Sequence, residues 1–382
     1  MDATWIAIIV IIGLVVLVMA GWPLLLRRFL RQYYAEKYLP EEIHQQAAVG
    51  LPAEHHLKNV PWITDEYPLC QSTSLQMIAA ASGVDYPRPF HDFLMGFTYG
   101  ASRLPGVGFS PLGSDPEVGL QVAAPFLGMA RRYYVTSDRA LFSSALRTFL
   151  AQDQPVRLAL DMGSLYSQPK YVAHSVVISG YDTGGFYFYE TVACPPSTAP
   201  AGSRPPGERG QYITEEGLLR AVERHSAELR YPWRYALTVF ELAETNQDLK
   251  PVWARNGTMV LDENKYGPKM GVRVLEELAD EIIRDGVKFP VETIREGLEL
   301  AVVVRQANAN FLRLVFAQDV EVLQAADSLE TAAKNYRFGL EDLHAGISNQ
   351  IDARRLATRL RDAAAAERIV GEIFIKKGQV EE

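Results

Sequence analysis

The chain has 382 residues, too many for one ordinary core and enough for two folded units. Hydrophobic residues make up 48% of it and charged residues 22%, a balance of packed globular structure that excludes a disordered chain. A formal net charge of −8 leaves no broad basic surface for phosphate backbones, so nucleic acid is not an expected partner. Two cysteines, Cys70 and Cys194, are too few for a disulfide framework.

The first predicted element is "WIAIIVIIGLVVLVMAGWPLLL", Trp5 to Leu26, which holds no charged residue. At about 1.5 Å per residue it is long enough for a hydrocarbon core of roughly 30 Å. Trp5 and Trp22 stand near its ends, and Arg27, Arg28 and Arg31 follow it. Residues 1–31 therefore read as a transmembrane anchor of a single-pass membrane protein, with the main domains in the cytoplasm by the positive-inside rule. A cleaved signal peptide is the rival, with Val18-Met19-Ala20 as its cleavage site, but the leading "MDAT" lacks a basic region. Residues 32–60 read as a polar connector.

Residues 61–245 mix glycine, proline, aromatics and short β-rich runs in the manner of an α+β domain. In "EYPLCQSTSLQMIAAASG", residues 66–83, Cys70 stands where a helix should begin, with Leu75, Ile78 and Ala79 turned inward. Unpaired backbone N–H groups and the positive dipole end favour a thiolate there, whereas most unpaired cysteines are small packed hydrophobes. The chemistry needs a partner, and "YVAHSVVISGYDTGGFYFYETV" offers one. It reads as a strand from His174 to Gly180, a turn at "DTGG" and a returning strand. Alternation puts His174, Val176 and Ile178 on one face and Phe186, Phe188 and Glu190 on one face of the next strand, so an imidazole and a carboxylate can meet if the turn sets that register. A nucleophile, a base and an orienting acid are what thiol catalysis requires.

Further along, "CPPSTAPAGSRPPGERG" (194–210) is too long for a simple turn and reads as a loop that covers a site or moves. From about Gly267 onward, apolar residues recur at helical spacing: Val272, Leu275, Leu278, Ala279 and Ile282, then Leu298, Val302, Ala309, Leu312 and Phe316. Residues 246–382 are therefore expected to form an all-α helical domain whose last helix is the alanine-rich "RRLATRLRDAAAAERIVGEIF". His55 and His56 are adjacent and lack the spacing of a metal motif, so no metal is expected there, and "GVGFSPLG" lacks the lysine of a phosphate loop. Asn256-Gly257-Thr258 is a formal glycosylation sequon without meaning in the cytoplasm. No cofactor is expected.

Taken together, Cys70 with "STSLQMI", His174 with "SVVISGYD" and Glu190 sixteen residues after it resemble, in order and spacing, the papain-like cysteine enzymes, among them the bacteriocin-leader (double-glycine) peptidases. The closer resemblance is to the butirosin biosynthesis protein H N-terminal domain family. There "FTYGASRLPGVGF", "QPVRLALDMGSLY", the histidine strand and "ITEEGLLRAV" have counterparts, and a helical C-terminal domain is common. The resemblance implies a papain-like catalytic domain and an acyl or peptidyl transferase or peptidase working through a Cys70, His174 and Glu190 triad. It also implies a peptide or acyl-carrier-type substrate. The sequence departs from the pattern in three places: Thr64 stands where the oxyanion glutamine is usual, Gln71 follows the cysteine in place of glycine, and Glu190 replaces Asp or Asn. Gln71 and Thr64 are the oxyanion candidates. The alternative expectation is a non-catalytic binding or scaffold module of the same fold at the membrane.

Overall fold

A computed structural model describes residues 28–44, 50–64, 67, 69–104, 108–113, 115–192, 209–261 and 270–379. Helix α1 covers 28–38 of the described chain, and two short strands follow, β1 (Glu41–Glu42) and β2 (His55–His56). The cysteine-bearing helix α2 spans Cys70–Ala81, and α3 spans Arg88–Met95, ended by Gly96 at φ 66°, the left-handed stop that glycine adopts without strain. A small hairpin of β3 (Ser102–Leu104) and β4 (Gly108–Ser110) leads to α4 (Pro116–Ala123) and β5 (Met129–Thr136). Next come α5 (Arg139–Ala151), capped by Asp138, and β6 (Val156–Asp161). A single turn, α6 (Met162–Leu165), joins β6 to β7 (Ala173–Tyr181), and β8 (Gly185–Tyr189) returns from it. Strand β9 (Gln211–Thr214), helix α7 (Glu215–Glu228) and strand β10 (Tyr235–Leu242) close this part of the chain. The rest is helical: α8 (Lys250–Leu261), α9 (Gly271–Asp285), α10 (Glu292–Val315), α11 (Val320–Ala345) and α12 (Gln350–Gly378).

The chain forms two compact units, each assembled from stretches distant in sequence. The first takes the described residues within 1–60, 132–190 and 194–240. Its sheet runs in the order β1-β5-β10-β6-β7-β8-β9, with β2 paired to the far end of β7. From β6 to β9 every pairing is antiparallel. Strand β7 is buried along all but its first residue, with Val176, Val177 and Ile178 as its apolar middle. Helix α7 packs on β6 and β8 and α5 on β7. Each fully buried Leu, Val or Phe between these layers, such as Leu146, Val176 and Phe186, contributes about 1.5–3 kcal/mol. The stretch expected to be a connector supplies β1 and β2, and in α1 Tyr34 packs edge-on against Tyr231 and Trp233.

The second unit takes 61–131, 191–192 and the described residues from 241 on. In it α12 lies against α8, α9 and α11, while α10 packs on α11, α3 and β4. Val272, Leu275, Leu278, Ala279 and Ile282 are all buried, as their spacing predicts, and so are Leu298, Ala309 and Leu312. Val302 and Phe316 are only half-buried, because the inner stripe of α10 passes through Ala301, Val304, Arg305 and Asn308 instead. Arg305 is fully buried between α10 and α12, where its Nε stands 2.6 Å from Glu367 Oε1. The same guanidinium donates to the carbonyls of Thr98, Gly100 (2.6 Å) and Pro111 (3.2 Å), so the start of "FTYGASRLPGVGF" and the residues just after it are held against the helices. Close approach does the rest: a Cβ on Gly108 would lie 1.9 Å from the Thr293 carbonyl oxygen.

One expectation is corrected. The fold is mixed α/β with a helical C-terminal region, and against the expected transmembrane helix and single-pass membrane location, no helix among the described residues is long and apolar enough to cross a membrane. The described helix nearest the expected span, α1, carries Arg28, Arg31, Glu36 and Lys37 and uses its aromatic face to pack on protein. Residues 1–27 themselves lie outside the described residues.

Candidate functional site

Two of the expected site residues are brought together by the β7–β8 hairpin. Asp182 makes the turn, accepting from Gly184 N–H (2.8 Å) and Gly185 N–H (2.9 Å), which commits the chain to the "DTGG" reversal. The register that follows sets Ile178 opposite Phe188 and Val177 opposite Tyr189, with a bulge between Ile178 and Gly180. On the His174 side of the bulge residues of even number on the two strands share a face, and His174 Nε2 lies 2.6 Å from Glu190 Oε1. Both side chains are buried, at 3% and 1% exposure. A carboxylate only accepts, so Nε2 carries the proton in this bond and Nδ1 is the basic nitrogen of the neutral ring.

The carboxylate has a second partner that sequence reasoning missed. Tyr166, the residue after α6, donates its hydroxyl to Glu190 Oε2, and the same hydroxyl lies 3.1 Å from the Gln211 side-chain amide. Burial first and then the Glu190 charge hold the Tyr166 phenol well above its ordinary range. A tyrosine at the end of a one-turn helix has no periodicity to mark it, and Gln211 follows the long proline-rich loop, so neither carried a local signal.

The other expected residues belong to the second unit. Cys70 is the first residue of α2 and is buried, at 6% exposure. Among the described residues no side chain caps this helix; Ser72 Oγ and Thr73 Oγ1 instead donate back to the Leu69 carbonyl, at 3.2 and 2.9 Å. Gln71 is buried in the same turn, and Thr64 is half-buried in the irregular segment 61–64. Cys194 lies outside the described residues.

No family model matches the chain, and no curated protein matches it either.

Residues set aside in the sequence have plain structural roles. His55 Nε2 pairs with Asp153 at 2.9 Å, and the His56 ring sits edge-on to Tyr187 at 4.5 Å. Asn256, the sequon asparagine, is fully buried and donates to the Phe93 carbonyl at 2.9 Å, which leaves no room for a glycan. Among the described residues no cluster of His, Cys, Asp and Glu could hold a metal ion.

Proposed function

We propose that this chain is a cysteine-dependent acyl or peptidyl transferase or peptidase of the papain-like type, acting on a peptide or acyl-carrier-type substrate. The observation that carries the reading is the buried bond of 2.6 Å between His174 Nε2 and Glu190 Oε1. Burying an imidazole and a carboxylate together costs desolvation that apolar side chains of the same size would not, so packing alone is a poor reason for the pair. With Nε2 committed to Glu190, His174 takes the Cys70 thiol proton at Nδ1 while Sγ adds to the substrate carbonyl. The same proton passes to the leaving group as the carbon–heteroatom bond breaks, leaving a thioester that water or an amine resolves. Glu190 holds the ring and stabilises its positive charge. Gln71 and Thr64 are the candidates for donors to the oxyanion, one of which is worth roughly 2.7–4 kcal/mol.

The rival reading is a binding module without catalysis, favoured by the burial of Cys70 at 6% exposure. Alkylation separates them. In the full chain at about pH 6, iodoacetamide is expected to label Cys70 at least tenfold faster than Cys194, roughly, and His174→Ala to abolish the difference. Labelling of Cys70 no faster than a free thiol, and indifferent to His174→Ala, would sink the enzyme reading and leave the binding module.

A further inference from the structure

The loop between β6 and β7 is built to hold Tyr166 still. Asp161, fully buried at the end of β6, accepts through Oδ1 from Gly163 N–H and Val172 N–H, both at 2.9 Å. Its Oδ2 accepts from Ser164 N–H (2.8 Å) and Ser164 Oγ (2.7 Å) and lies 3.0 Å from the Arg224 guanidinium. One carboxylate thus pins both ends of the loop that begins with α6 and ends just before His174. Within it, a Cβ on Gly163 would lie 2.0 Å from the Lys170 carbonyl oxygen, so the loop closes on itself at a distance only glycine permits. Tyr166 follows, buried, and its N–H bonds the Met162 carbonyl at 3.0 Å.

From this rigid support the Tyr166 hydroxyl meets Glu190 on the oxygen that His174 does not use. We infer that Tyr166 is a positioning residue: by donating to Glu190 Oε2 it locks the carboxylate rotamer, and the locked carboxylate keeps the proton of the neutral His174 ring on Nε2. The inference rests on reading the pair as a base and its orienting acid. A carboxylate held by one bond turns about its last torsion and offers its charge in several directions; one held at both oxygens does not. A phenol has one proton, and it goes to the charged acceptor Glu190, while Gln211 Oε1 stands 3.1 Å from the same hydroxyl. The phenol stays protonated across the working range, because burial and the Glu190 charge both oppose its ionisation.

The test is an NMR measurement on the full chain carrying 15N-labelled histidine. Wild type is expected to show the neutral His174 ring as a single Nε2–H tautomer, with well-separated ring-nitrogen signals and a slowly exchanging Nε2 proton. In Tyr166→Phe the two nitrogen signals converge and the proton exchanges about tenfold faster, the scale of one lost hydrogen bond. A merely structural tyrosine would lower stability and leave the tautomer alone, so a folded Tyr166→Phe with wild-type signals and exchange overturns the inference. If that variant does not fold, wild type decides. A nuclear Overhauser contact between a slowly exchanging Tyr166 hydroxyl proton and the His174 Nε2 proton is expected, and its absence counts against the role. Should Cys70 alkylation ignore His174→Ala while the tautomer still shifts in Tyr166→Phe, the thiol-enzyme reading fails and the role of Tyr166 stands. The reverse pattern removes Tyr166 and keeps the enzyme.

Discussion

His91, on α3, is fully buried with its Nε2 donating to the Tyr86 carbonyl at 3.2 Å. Burial depresses its pKa to about 4 even though the carbonyl bond favours the charged ring. Because the folded value lies below the unfolded value of about 6.5, the unfolded chain takes up the proton first. Titration of His91 therefore leaves stability unchanged above about pH 6.5, and stability falls as the pH drops from there to about 4, by on the order of 3 kcal/mol in all. Urea unfolding at pH 7 and at about pH 4.5 should show this loss in wild type and a smaller one in His91→Asn, which keeps a polar group of similar size without a proton to gain. Parallel losses in the two proteins would show that the ring is not the titrating group.

At the scale of elements, one side chain serves both ends of the β6–β7 connection. Asp161 caps α6 through Gly163 and Ser164, bonds Val172 N–H near the start of β7, and faces Arg224 on α7. Asp161→Ala removes these acceptors at once and leaves buried N–H groups unpaired, at a cost of about 3 kcal/mol in urea unfolding. The loss should be accompanied by faster amide exchange from Met162 to His174, since both ends of the loop are released. A cost of a few tenths of a kcal/mol would mean that water takes over the bonds. The contrasting element is α2, whose start lacks a side-chain cap among the described residues and whose Ser72 and Thr73 hydroxyls bond back to Leu69.

For the whole molecule, the decisive contact of the second unit is a buried ion pair. Arg305 and Glu367, at 0% and 1% exposure, lie 2.6 Å apart, and Tyr336 adds a bond of 2.7 Å to Glu367 Oε1. Through Arg305 the helices grip Thr98, Gly100 and Pro111, so residues some two hundred positions apart close one core. Glu367→Gln keeps the shape and strands the guanidinium charge, which should cost about 3–5 kcal/mol. Circular dichroism melts would show it, and hydrogen exchange should rise in the segment 97–113 ahead of the β-sheet, because the two lie in different compact units. A melt within a degree of wild type would mean that the carbonyls alone satisfy Arg305.

What the sequence by itself determined is local. Helical spacing from Val272 to Ile282 foretold a buried face, and alternation around "DTGG" put His174 and Glu190 on one face of two neighbouring strands, because a tight turn leaves few registers. Cys70 at the start of a helix was legible from the polar first turn that follows it. Hydropathy, which suggested a membrane span, scores solvation alone, and no helix among the described residues has the length and apolarity to cross a membrane. Tertiary structure alone decided the rest. Tyr166 joins Glu190 from a one-turn helix, Arg305 sits where a periodic stripe would place an apolar residue, and the polar pairs Glu41-Glu42 and His55-His56 become strands. Each of these depends on partners far along the chain. A periodic pattern arises from neighbours three or four residues away, or two in a strand, whereas a buried charge or a short edge strand is stable only when a distant segment supplies its hydrogen bonds.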